Sequence, residues 1–119
     1  MLPLAVERIR ADGYDLVAVK GEIDIATSPR LIAALNDAVT DSSDAVIVDL
    51  AGVEFMDSTG LALLVRAHRR LRGRGRGFAV VCPDGPVRRI FELTDMAETL
   101  HVHPTREAAL GAAGDGLPS

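Results

Sequence analysis

The residues with the clearest chemical capacity lie in one short run, Asp57-Ser58-Thr59-Gly60, in front of a stretch whose apolar spacing reads as a helix. A serine near glycines can be a nucleophile, but G-x-S-x-G needs glycine at position 56, where Met56 stands. No histidine is placed by the sequence to serve as its base. An aspartyl D-T-G motif is interrupted by Ser58. A carboxylate or hydroxyl at a helix start can cap unpaired N–H groups, and the partial positive charge there also seats an anion. Read locally, Asp57 and Ser58 are caps.

Other groups are less promising. Asp24, Asp49, Glu54 and Asp57 could meet at one sheet edge, but a hydrolytic pair needs a geometry that spacing alone does not supply. His101 and His103 would share a strand face with no third ligand evident, so a surface strand is favoured over a metal site. His68 falls on an apolar helical stripe and reads as packed or hydrogen-bonded. Cys82, the single cysteine, excludes an internal disulfide and any multi-cysteine zinc site. Neither G-x-x-x-x-G-K-[ST] nor a strand-following G-x-G-x-x-G occurs. Gly73-Arg74-Gly75-Arg76-Gly77 precedes a strand and reads as a connector with solvated arginines. No cofactor is expected.

The elements that must position these residues alternate clearly. Leu4 to Arg10 reads as a strand, Ala11-Asp12-Gly13 as a turn and Leu16 to Gly21 as a second strand, together an antiparallel hairpin. Thr27-Ser28-Pro29 starts a helix carrying Leu31, Ile32, Leu35, Ala38 and Val39, which ends near Asp41-Ser42-Ser43. Ala45 to Leu50 reads as a strand covered on both faces, and Ala51 to Met56 as a loop in which Phe55-Met56 dips towards the core. The helix from about Asp57 shows Leu61, Leu64, Val65, His68 and Leu71 as its stripe. Phe78 to Cys82 is a buried strand; Pro83-Asp84-Gly85-Pro86 opens a helix with Val87, Ile90, Phe91 and Leu93. Leu100 to His103 reads as a last strand and Thr105 to Ala112 as a last helix capped by Thr105. The order ββαβαβαβα implies a single α/β domain, residues 1–112, with a mixed sheet: an antiparallel hairpin followed by parallel βα units. Residues 113–119 are expected to form a flexible tail.

Composition agrees with one small domain. Of 119 residues, 48% are apolar but only 3% aromatic, so the core must be aliphatic. Seventeen acidic against 13 basic residues leave a net charge of −4, which argues against a nucleic-acid or anionic-membrane binder. The start has neither a basic segment nor a long apolar run, and no stretch suits a membrane span. A cytoplasmic location is expected.

Beyond these local readings, Phe55-Met56-Asp57-Ser58-Thr59-Gly60-Leu61 resembles the signature loop of the anti-sigma factor antagonists, the bacterial STAS domains. The resemblance extends to Gly21-Glu22-Ile23-Asp24, to Val48-Asp49-Leu50 and to the helix from Pro86 to Thr94, and covers about residues 4 to 112 in order. It implies the same mixed sheet with helices packed on it. It also implies that a partner anti-sigma factor, a serine kinase of the histidine-kinase-like ATPase fold, phosphorylates Ser58, with Thr59 the less favoured acceptor. The unphosphorylated form binds the anti-sigma factor and releases its sigma factor; a PP2C-type phosphatase reverses the modification. Asp24, Thr27, Asp57, Ser58, Thr59 and Gly60 would form the partner-binding surface, with no catalytic residue. Two alternatives remain at this point: a STAS module of another signalling assembly, such as a stressosome-like complex, or a small hydrolase.

Overall fold

A computed structural model of the chain describes residues 4–11, 13–41 and 44–114. Five strands and four helices follow in the expected order: β1 (Ala5–Ala11), β2 (Tyr14–Ile23), α1 (Ser28–Asp41), β3 (Ala45–Met56), α2 (Ser58–Arg72), β4 (Phe78–Val81), α3 (Pro86–Leu93), β5 (Val102–His103) and α4 (Arg106–Gly114). The sheet order is β1-β2-β3-β4-β5. β1 is antiparallel to β2, and every later pair is parallel. Hairpin register runs from Ala5↔Lys20 to Ala11↔Tyr14. Gly13, at φ 86°, supplies the left-handed residue of that turn, while Asp12 lies outside the described residues.

Strand alternation sorts the apolar residues between two cores. Val17, Val46, Val48, Phe78 and Val80 pack with Leu31, Leu35, Leu64, Leu71 and Phe91 in the large cluster beneath α1, α2 and α3. Leu16, Ile47, Ala79 and Val81 point the other way and meet Ala109 of α4. The unbroken apolar run of β3 is thus explained, since both faces of its first half are covered.

Several boundaries differ from expectation. The segment from Ala51 to Met56 is strand, paired with β2 as far as Ile23↔Met56. Two bulges accompany it: β3 advances from Asp49 to Gly52 while β2 advances from Ala18 to Lys20, and from Val53 to Phe55 while β2 advances from Gly21 to Glu22. A bulge breaks the period-two pattern that marks a strand, which is why this stretch reads as a loop. The second bulge leaves Phe55 51% exposed while Met56 is buried, so only Met56 turns inward. On α2 the buried residues are Gly60, Leu63, Leu64, Ala67 and Leu71, a stripe rotated from the expected one; Leu61 and Val65 are half-buried at its edge. β5 is only Val102–His103; His101 precedes it in a left-handed turn at φ 53°, so the two histidines do not share a strand face. Helix α4 runs to Gly114, two residues into the segment expected to be tail, and residues 115–119 lie outside the described residues, as do Ser42 and Ser43.

Arg76 is a further correction. It is buried, with Nε donating to Asp44 O (2.8 Å), Nη1 to Val39 O (2.8 Å) and Nη2 to Ala38 O (3.1 Å). The guanidinium closes the carboxyl end of α1, where orphan carbonyls and the negative end of the helix dipole favour a cation.

Candidate functional site

The parallel pairing of β2 and β3 ends at Ile23↔Met56, so the segments leaving these strands start side by side. The Asp57 N–H donates to Ile23 O at 3.2 Å and ties the two exits together. Asp24 and the Asp57–Gly60 segment therefore occupy one edge, the carboxyl end of the parallel strands, where functional groups gather in such sheets.

The first segment is a closed turn. Asp24 Oδ1 accepts the Thr27 N–H at 3.0 Å, and Thr27 Oγ1 accepts the Asp24 N–H at 3.0 Å. Thr27 Oγ1 also donates to Glu22 O at 2.8 Å, and the Ser28 N–H donates to Asp24 O at 2.9 Å. These bonds hold Ile25 outward at 76% exposure. Thr27 is half-buried and its hydroxyl is engaged inside the turn, so it shapes the loop; Asp24 stands beside it, half-buried.

The second segment divides the roles that local reading had pooled. Asp57 is the N-cap of α2: extended at φ −98°, ψ −171°, with Oδ1 accepting the Thr59 N–H at 2.9 Å. Ser58 is the first helical residue, exposed, and its hydroxyl makes no hydrogen bond among the described residues. Thr59 is half-buried and Gly60 fully buried. A Cβ at residue 60 would overlap Met56 Cγ and come within 2.9 Å of Ile23 Cγ2, so only glycine lets the helix start sit directly on the strand ends.

The other candidate carboxylates do not converge into a catalytic pair. Asp49 is buried, accepting the Ala51 N–H at 2.8 Å and the Arg106 Nε–H of α4 at 2.6 Å. Its charge is neutralised on the face opposite α2. His68 is packed against Phe78 (ring centroids 5.7 Å) and His101 (6.0 Å); burial first, then repulsion from His101, Arg72 and Arg69, holds its pKa below the ordinary value. Burial pushes the Cys82 thiol up to about 11, so it stays protonated and unreactive at neutral pH. Among the described residues no group of three His, Cys, Asp or Glu could hold a metal, and no helix is long and apolar enough to cross a membrane.

Sequence reasoning missed Ile25 and Phe55. Both are large apolar side chains left exposed, Ile25 in the turn that carries Asp24 and Phe55 in the last residues of β3 before the Ser58 segment. Ile25 had a signal, an isoleucine between the two ends of a capping turn. Phe55 had none, because a bulge cannot be counted from one strand alone.

The element order and the mixed sheet are those of a known domain type, and the family model of the STAS domain matches residues 6–109. The chain belongs to the STAS family. An anti-sigma-B factor antagonist of Staphylococcus epidermidis is 32% identical over 104 residues, covering 87% of this chain and 96% of that protein. The anti-sigma-F factor antagonist RsfB of Mycobacterium tuberculosis is 30% identical over 105 residues, 88% of this chain and 85% of its own. A crystal structure of an anti-sigma factor antagonist from Mycobacterium paratuberculosis superposes with a TM-score of 0.88 at 37% identity, covering 94% of this STAS domain and 95% of that chain.

Proposed function

We propose that this STAS domain is an anti-sigma factor antagonist whose partner is an anti-sigma factor acting as a serine kinase, and that phosphorylation of Ser58 ends their binding. The observation that carries the reading is the Ser58 hydroxyl: exposed, unbonded, and at the first turn of a helix whose cap is already supplied by Asp57. A hydroxyl that the fold does not use is free for a kinase, whereas Thr59 is half-buried beneath it. The relatives named as anti-sigma factor antagonists, at 30–37% identity, support the same role.

The physics of release follows from the local charge. A phosphate adds about −1.5 to −2 charge at Ser58. The start of α2 tolerates an anion, so the fold survives. The new charge joins Asp24 and Asp57 on the same edge, and a partner surface matched to a neutral hydroxyl then meets concentrated negative charge. Like charges set against each other cost several kcal/mol, enough to abolish micromolar binding. A PP2C-type phosphatase would restore the neutral form. The role is binding rather than turnover: Asp24, Asp49 and Asp57 are committed to turn, ion-pair and cap interactions. A partner that consumes ATP and holds a sigma factor belongs in the cytoplasm, and no nucleic acid or membrane contact enters the scheme.

The test is in vitro phosphorylation by the cognate kinase with ATP, read by mass spectrometry. One phosphate is expected, on Ser58. Ser58→Ala should fold and bind constitutively, and Ser58→Asp should fold yet bind at least a hundredfold more weakly. Phosphate on Thr59 or Ser28 with Ser58 unmodified overturns the assignment. Wild-type affinity in Ser58→Asp overturns the electrostatic account of release.

A further inference from the structure

A groove of about 440 Å³ starts at Ser58 and runs along α2 against the connection from α3 to β5. Its floor is apolar, formed by Leu61 and Val65 of α2 and by Met96 opposite. The far wall exists because Asp95 takes a left-handed conformation at φ 58°, which lets the Met96 N–H donate back to Phe91 O at 2.9 Å and turns Met96 towards α2. From Ser58 to Arg69 the trough is roughly 16 Å long at 1.5 Å per residue, about three turns of a docked helix.

Charge decides what fits. Helix α2 carries Arg66, Arg69, Arg70 and Arg72 and no acidic residue, in a chain whose net charge is −4. Arg70 is engaged with Asn36. Arg66 and Arg69 line the groove, are exposed, and have no acidic partner among the described residues. The opposite wall is different: Thr94 and Met96 line it and bring no charge. An occupant must therefore be apolar along one stripe and acidic along the flank that faces α2.

We infer that this groove receives an acidic amphipathic helix of the anti-sigma factor, its apolar stripe on Leu61, Val65 and Met96 and its carboxylates on Arg66 and Arg69. The inference rests on the antagonist reading and deepens it. Because Ser58 closes one end of the groove, a phosphate there sets a dianion at the terminus of an acidic helix. Release then results from repulsion of the same charges that Arg66 and Arg69 attract.

The experiment uses each histidine-kinase-like ATPase encoded by the host genome, purified, with the full chain. Phosphorylation of Ser58 is scored in the same samples as affinity. Arg66→Glu with Arg69→Glu should weaken binding at least tenfold with little change in melting temperature, and a Glu→Lys exchange on the partner helix should restore part of it. A photocrosslinking residue at exposed Ala62 should attach to a partner peptide bearing two or more carboxylates at helical spacing. Unchanged affinity in the double variant, or crosslinks to a basic or uncharged segment or to a second copy of this chain, overturns the groove assignment; continued Ser58 phosphorylation in that case leaves the antagonist reading standing. If no such kinase binds or phosphorylates the chain, both fall.

Discussion

The two ends of α2 treat their polar groups in opposite ways. Beyond its carboxyl end, the turn through Gly75 delivers Arg76 into the protein, where all three donating nitrogens reach backbone carbonyls. At its amino end the cap is complete with Asp57, and Ser58 is left exposed with no partner. The first arrangement spends a charged side chain on holding α1 to the sheet. The second keeps a hydroxyl outside the fold's own bonding, on the edge where Ile25 and Phe55 are also left exposed. On the proposed function, stability and recognition are thus separated along one helix, and phosphorylation of Ser58 would alter binding without loosening the domain.

Replacing Arg76 with Ala is the strongest challenge to that contrast. It strands the carbonyls of Ala38, Val39 and Asp44 and should destabilise the domain by about 3 kcal/mol, seen as a lower urea midpoint at constant slope. The same variant, assayed at a temperature where it is folded, should be phosphorylated on Ser58 as wild type is. A loss of phosphorylation there means that the two ends are coupled after all.

Phe55→Ser and Ile25→Ser sharpen the other side. Each removes an exposed apolar anchor, and each should weaken partner binding by roughly tenfold, about 1.4 kcal/mol. Calorimetric melting should barely move, because neither side chain is buried in the free domain. Unaltered affinity in both would restrict the surface to Asp24 and the Ser58 loop.

Asp57→Ala sits at the boundary between the two roles. Losing the bond to the Thr59 N–H should cost about 1 kcal/mol of stability by urea titration, whereas Ser58→Ala should cost less, since Ser58 caps nothing. Equal losses would return Ser58 to a capping role.

The smallest effect concerns acid. Burial depresses the pKa of His68, and of His101, below the ordinary value of 6.5. The unfolded chain then binds protons first, so stability is full above about pH 6.5 and declines as the pH falls from there through the lower native value. Urea titrations at pH 7.5 and 5.5 should show the decline, and His68→Leu should reduce it. Ser58 phosphorylation assayed at pH 7 should not respond to that variant, since His68 packs against Phe78 and His101, away from the Ser58 end of α2.

Much of this was legible in order along the chain. Periodicity and turn chemistry specify the ββαβαβαβα succession, because a helix repeats every 3.6 residues and a strand every two, and the runs here are long enough to tell them apart. Thr105 reads as a cap and is one, accepting the Ala108 N–H at 3.1 Å. The Asp57–Gly60 run reads as a helix start for the same reason. What failed to be legible lies where pairing between distant segments sets the outcome. The register shifts opposite Ala18–Lys20 and Gly21–Glu22 turn Phe55 outward, and they exist only in the pairing of β2 with β3. Arg76 looks like any loop arginine until α1 presents its open carbonyls 37 residues away. Gly60 shows its purpose only when Met56 and Ile23 crowd the space a side chain would need. Local sequence determines which residues form each element and which caps can start it, since those energies act within a few residues of the chain. Whether a given hydroxyl or charge is consumed by the fold or left for a partner depends on contacts across the sheet, and only the tertiary structure decides those.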